Sequence, residues 1–228
     1  MNNRRIWFRL GGVLAAAAVC TGGAAVVSDR AQEAKNVQRA FFGAMETQMQ
    51  IGCYPSETGS PADLTERERT ELQTAYISRV EQYYTEENPC RKRYIALNED
   101  FLTACDSDVE YSESGGVADC RFDSVRLYAD RMTAVVQAQT VAWDKRISGN
   151  PEQGFSVELP VNRDTITATM KKENGVWKLD SIDSQISLSA AVPSDDEVCR
   201  ERYPTFETAR QAANSIDDQA YIKEARFA

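Results

Sequence analysis

The 228-residue chain contains no histidine. That absence excludes every His-dependent catalytic triad, every His-ligated metal site and any imidazole acid–base catalyst. Basic side chains are also scarce, with 26 Lys and Arg against 35 Asp and Glu and a formal charge of -9. A nucleic-acid binder needs a basic face to displace counterions from phosphate, and none is available here. No two of the six cysteines form a C-x-x-C pair, so neither a thioredoxin-type motif nor a zinc ribbon is supported. P-loop, dinucleotide and G-x-S-x-G fingerprints are missing too, and the sequence points to no cofactor. What remains is a 42% hydrophobic, 9% aromatic composition able to build a core.

Long apolar runs are rare, and the one present stands at the start. Arg4, Arg5 and Arg9 precede Leu10 to Val27, 18 residues without a charge, ended by Ser28 and Asp29. A basic start before an apolar run is what translocation machinery reads, which leaves the arginines in the cytoplasm and places residues 28–228 outside the membrane. Three processing outcomes are open: an uncleaved single-pass anchor through residues 10–27, a cleaved signal that would make the domain secreted, or a lipid anchor at Cys20. Without its three N-terminal arginines the remainder has 23 basic and 35 acidic side chains, a net of -12. Such a domain is repelled by anionic lipid and nucleic acid alike.

In an extracytoplasmic domain disulfides are the default reading of cysteine. Cys105 and Cys120 flank DSDVEYSESGGVAD, a polar stretch that reads as a loop between a helix and a strand. A bridge across it would close about 15 residues and contribute roughly 3 kcal/mol on the chain-entropy model. Cys53, Cys90 and Cys199 are three and cannot all pair within one chain. The same stretch opens as a calcium loop does, at Asp106, Asp108 and Glu110. However, Tyr111 stands where glycine is needed and Val117 where the bidentate glutamate is needed. It reads as a solvated acidic loop and no metal is expected. Arg91-Lys92-Arg93 reads as a short partner-facing or solvated basic turn.

Apolar spacings of three and four predict a helix over 29–49, through Val37, Phe41 and Met45. Thr65-x-x-Glu68 is a capping box opening a second helix, whose stripe is Leu72, Tyr76, Val80 and Tyr84 and which Asn88-Pro89 stops. Tyr94, Leu97, Phe101 and Ala104 mark a third. After Gly115-Gly116 the pattern turns to strands: 122–129, a turn at Asp130-Arg131, a long strand over 132–147, and an irregular extended segment over 154–164 broken by Pro160. A hairpin follows, joining 165–172 to 176–184 through Asn174-Gly175. Residues 189–228 form a linker and a short helical extension, with Ser215-x-x-Asp218 as a helix cap.

Helices followed by a meander of long strands make an α+β domain, with helices on one face of a bent antiparallel sheet. The pairing of ADRMTAVVQAQTVAW with TITATMKKENGVWKLDSID, and the Gly175-Val176-Trp177-Lys178-Leu179 ending, resembles the nuclear-transport-factor-like (cystatin-like) superfamily. With the N-terminal segment, the chain is similar to bacterial single-pass forms of that fold, the conjugation-channel scaffold subunits and the Mce-associated proteins. The resemblance implies a cone-like bent sheet over about residues 30–188. It also implies a membrane-tethered, non-catalytic element that binds protein partners, with self-association among the options. Its alternative is a cone that holds a small ligand, as a binding protein or a His-free enzyme. No catalytic residue is assigned. Strand alternation puts Trp177 and Leu179 on the face opposite Lys178 and Asp180, so Trp177 is expected as a core anchor beneath the helices of residues 65–105.

Overall fold

The computed structural model describes residues 29–53, 64–103, 109–190 and 197–218. The apolar segment 10–27 and Cys105 lie outside these. Among the described residues no helix is long and apolar enough to cross a membrane. The architecture is α+β, with helices packed on a five-stranded antiparallel sheet.

Three helices come first. Helix α1 covers residues 29–49, α2 is Glu66–Tyr83 and α3 is Pro89–Thr103. The capping box of α2 is formed as expected. Thr65 Oγ1 accepts the Glu68 N–H at 3.3 Å, and Glu68 Oε2 accepts the Thr65 N–H at 2.8 Å. Asn88-Pro89 does not end α2, which stops at Tyr83; it opens α3 instead. Asn88 accepts the Cys90 N–H at 2.8 Å, and Pro89 takes the first helical position, where its missing N–H costs nothing. The basic cluster therefore lies in the first turns of a helix rather than in a turn, and Arg91 reaches Glu81 at 2.9 Å. The buried stripe of α3 is Tyr94, Asn98 and Leu102, one residue on from the expected Leu97 and Phe101. Asn98 explains the shift: its side chain accepts the Gly52 N–H and donates to Gln73, tying α1's end to α2 and α3. Helices α1 and α2 cross closely at Gly43, where a Cβ would stand 2.2 Å from the Tyr83 ring.

The strands are β1 (Val109–Leu127), β2 (Thr133–Asn150), β3 (Gly154–Glu158), β4 (Val161–Glu173) and β5 (Val176–Ala190), in the order β1-β2-β4-β5 with β3 also on β2. Strands β3 and β4 act as one partner of β2, since the register is the same on both sides of the break at Leu159-Pro160. Proline cannot donate to the ladder, and its carbonyl instead accepts the Asp144 N–H at 3.1 Å. The β4–β5 turn is made by Asn174 and Gly175 with φ of 51° and 82°, the positive pair that a tight hairpin demands.

The stretch read as an acidic loop is strand from Val109 onward and pairs with Gly149 through Thr140 up to Cys120. Its polar composition misled because the segment is an edge strand, and three register shifts fall at Glu113, Ala118 and Asp123. Bulges of this kind let an edge strand keep polar residues and turn particular side chains to new directions.

Two hydrophobic clusters hold the layers together. The first joins Val37, Phe41, Ala44 and Met45 of α1 with Tyr76, Val80, Tyr84 and Tyr94. Beneath them lie Ala134, Val136, Ala138, Ile166, Ala168, Met170, Trp177 and Leu179 of the sheet. The second lies at the far end of the long strands: Ile147, Phe155 and Val157 against Leu64, Leu102, Ala209 and Ala213. Its helical cover comes from the C-terminal segment, a short α4 (Glu197–Arg200) and α5 (Phe206–Asn214), anchored by a Phe155–Tyr203 backbone pair. The described residues 197–216 are therefore packed onto the same sheet. Ser215 proves to be the C-cap of α5, bonded to the Ala212 carbonyl; helix resumes at Asp218, and residues 219–228 lie outside the described residues.

Candidate functional site

Where the two clusters meet, a cleft of about 500 Å³ opens between α2, α3, β1, β2 and the end of α5. Its walls include Tyr76, Asn98, Leu102, Glu113, Lys145 and Asp218. The floor is charged. Glu113, turned out of the ladder by its bulge, meets Arg210 of α5 at 3.3 Å, with the two side chains only 2% and 3% exposed. Lys145 donates to Asp218 at 2.8 Å and to the Ala213 carbonyl at 3.2 Å. Beside them Asp144 pairs with Arg146 and accepts the Ser112 hydroxyl at 3.0 Å. Burial pushes the Glu113 carboxyl above its ordinary range, while Arg210 and then Lys145 oppose the shift.

The other titratable groups of the cleft are disarmed. Burial, then the charges of Asp144 and Glu113, push the Cys53 thiol up to about 12, far from a thiolate nucleophile at neutral pH. Burial raises the Tyr76 phenol as well, and its hydroxyl donates to the Thr47 carbonyl at 3.3 Å. Among the described residues no group of three or more acidic or cysteine side chains could hold a metal ion. The pairs Glu113–Arg210 and Lys145–Asp218 fasten the C-terminal segment to the sheet. Nothing in this arrangement points to catalysis.

Trp177 is 3% exposed within the first cluster. It shares that cluster with Tyr76, Val80 and Tyr94 of the expected helices, and α1 adds a direct bond. Its indole N–H donates to Glu33 of α1 at 2.7 Å, and Lys172 lies 5.2 Å from the ring centroid and 2.9 Å from the same carboxylate. Those bonds from Lys172 and Trp177 hold Glu33 below the usual carboxylate range. Cys120 is half-buried, its thiol raised to about 12 by burial and then by Asp119. Its suggested partner Cys105 lies outside the described residues. Among those described, Cys53, Cys90, Cys120 and Cys199 form no disulfide with one another.

A second feature lies on the opposite edge of the sheet. The near part of β5 is covered: Thr85 N–H and the Asn88 amide both donate to the Leu179 carbonyl, and Thr85 reaches Asp180. Beyond the bulge at Asp183, residues 184–190 pair regularly with β4 on one side and with no described strand on the other. Ile186 and Leu188 stand there 60% and 67% exposed, on one face. Sequence reasoning stopped this strand at Ser184 and so missed them, although the alternation Gln185-Ile186-Ser187-Leu188-Ser189 carries the signal. No comparable signal announced Glu113, Lys145, Arg210 and Asp218, which come together only through the fold.

No family model and no curated protein matches the chain. Among solved structures it is similar to the intermembrane-space region of the chloroplast protein ARC6, at 13% identity and a TM-score of 0.37, over 69% of this chain and 97% of that one. A likeness this distant carries no argument about function.

Proposed function

We propose that the protein is a membrane-tethered, extracytoplasmic element that binds other proteins and performs no catalysis, built on a cone-like variant of the nuclear-transport-factor-like fold. The contrast between its two sheet surfaces supports this reading best. The inner face beneath α1 and α2 is filled by the chain's own side chains, Val136, Ala138, Ile166, Ala168, Met170 and Leu179 being at most 1% exposed, and the charged side chains of the cleft at the α5 end pair with one another. The outer edge, by contrast, has no described strand beside it over 184–190, and Ile186 and Leu188 are exposed there. An uncovered strand with exposed apolar side chains invites another strand, because its N–H and C=O groups remain unpaired. The basic start and uncharged run of residues 1–27 supply the tether, and the net charge of -12 keeps the domain itself off anionic lipid.

The test places a photo-crosslinking residue at Leu188 in the cell, with Gln137 on the solvent side of the sheet as control. A protein adduct at 188 and none at 137 is the expected result; equal or absent adducts would overturn protein binding at this edge. Protease added to cells stripped of wall or outer membrane should digest residues 28–228. Protection of that segment would overturn the topology.

A further inference from the structure

We propose that the partner of the open β5 edge is β5 of a second copy of this chain, paired antiparallel about Ser187. The proposal rests on the protein-binding reading and names the partner. Four observations carry it. Residues 184–190 are free of bulges, in contrast to Asp180 and Asp183 just before them, so the edge offers an undistorted template about 23 Å long at roughly 3.3 Å per residue. The devices that normally blunt an edge are missing, since no lysine, proline or other charged side chain occurs from Ser184 to Ala190.

The third observation is the pattern itself. Around Ser187 the order is polar, apolar, polar, apolar, polar, from Gln185 to Ser189. A two-fold axis through Ser187 sets Ile186 of each copy opposite Leu188 of the other, on the same sheet face. Both apolar side chains gain a directly opposed apolar partner, and no like charges meet. A slip by one residue would set Ile186 opposite Ser187 or Ser189 and Leu188 opposite Gln185 or Ser187, apolar against polar throughout. A slip by two keeps one like pair, Ile186 on Ile186 or Leu188 on Leu188, and sets the other residue against Ser184 or Ala190, so the Ser187-centred register matches the most apolar surface. Fourth, the opposite edge of the sheet is unsuited to the same contact. Strand β1 is bulged at three places, whereas β5 is regular where it is open.

A seven-residue edge pairing falls in the small-interface class, so the dimer should be weak and concentration-dependent, with a dissociation constant in the micromolar range, about 1–100 μM. Tethering two copies to one membrane would raise their effective concentration and favour pairing.

Sedimentation equilibrium of the full chain in detergent, from about 0.1 to 200 μM, should show monomer giving way to dimer. Leu188→Lys, at an exposed position that leaves folding intact by circular dichroism, should raise the dissociation constant at least tenfold. In Ser187→Cys, mild oxidation should yield a 187–187 linked peptide, identified by mass spectrometry apart from any native cysteine. Monomer throughout that range, or a dimer indifferent to Leu188→Lys and without the 187–187 peptide, would overturn self-pairing. The photo-crosslink at position 188 separates the two failures. A monomer that still captures a different protein at 188 overturns self-pairing and leaves the protein-binding reading standing. A monomer with no adduct removes both.

Discussion

The two ends of the long strands solve the same packing problem with different chemistry. At the α1–α3 end the sheet is covered by a large apolar cluster in which aromatic rings meet edge to face, Phe41 on Phe122 and Tyr84 on Tyr94. Its buried hydroxyls bond to helix carbonyls, Tyr84 to Ala44 at 2.7 Å among them. At the α5 end the apolar cluster is small, and buried charge does much of the fastening through Glu113–Arg210 and Lys145–Asp218. An apolar contact tolerates the loss of one partner by partial collapse. A buried ion does not, because its companion is left charged and out of water. The first end should therefore respond to lost volume, and the second to lost pairing and to pH.

The largest effects test that difference directly. Arg210→Met should destabilise the fold by about 3–5 kcal/mol at pH 7, because Glu113 is left ionised and buried. Its signature is the pH dependence. The Glu113 carboxyl is already raised in the folded state, and losing its cation raises it further. Stability tied to the protonated form is present at low pH and lost as pH rises through the folded value, so the variant should recover part of its loss as pH falls from 7 towards 5. Adding Glu113→Leu should restore most of the stability at pH 7. Urea denaturation across pH measures both, and a pH-independent loss would show that the second end depends on volume as the first does.

Trp177→Ala should cost a comparable amount, about 3–5 kcal/mol, through lost volume in the first cluster. A loss below about 1 kcal/mol would refute the core role of Trp177. Trp177→Phe keeps most of the volume but removes the N–H donated to Glu33, and should cost about 1–2 kcal/mol.

A smaller effect comes from Glu33→Gln, which weakens the bonds from Lys172 and Trp177 by about 1 kcal/mol at neutral pH. Here the sign is opposite to Glu113. Glu33 is held below its ordinary range, so its stabilisation is present above about pH 4.5 and is lost as pH falls through the folded value. Wild type and variant should converge in stability below that pH; a difference that persists there would show that Glu33 acts through packing alone.

The smallest effect concerns thiols. Burial raises both the Cys53 and the Cys120 thiol to about 12, so native alkylation at about pH 8 should be slow and unfolding should accelerate it. Strand from Val109 through Cys120 replaces the loop that a 105–120 bridge would have closed. Peptide mapping without reductant should therefore recover Cys120 as a thiol, and a linked 105–120 fragment would overturn that.

Much of this molecule was legible from periodicity alone. The stripe Tyr76-Val80-Tyr84, the alternation along β2 and the Asn174-Gly175 turn each specify their structure within a few residues, because side-chain direction repeats with the backbone and only certain residues accept positive φ. The sequence determined by itself that the domain is α+β, that the chain carries one apolar segment at its start, and that no imidazole chemistry occurs. Only the tertiary structure decided that polar residues 109–121 are strand, since an edge strand need not alternate and its bulges break the period. Only the tertiary structure decided that Trp177 sits beneath α1, and that Glu113 finds Arg210 across 97 residues of chain. Neither pairing has a local signal. A buried charge is recognisable by what surrounds it, and its surroundings exist only once the helices and the sheet have come together.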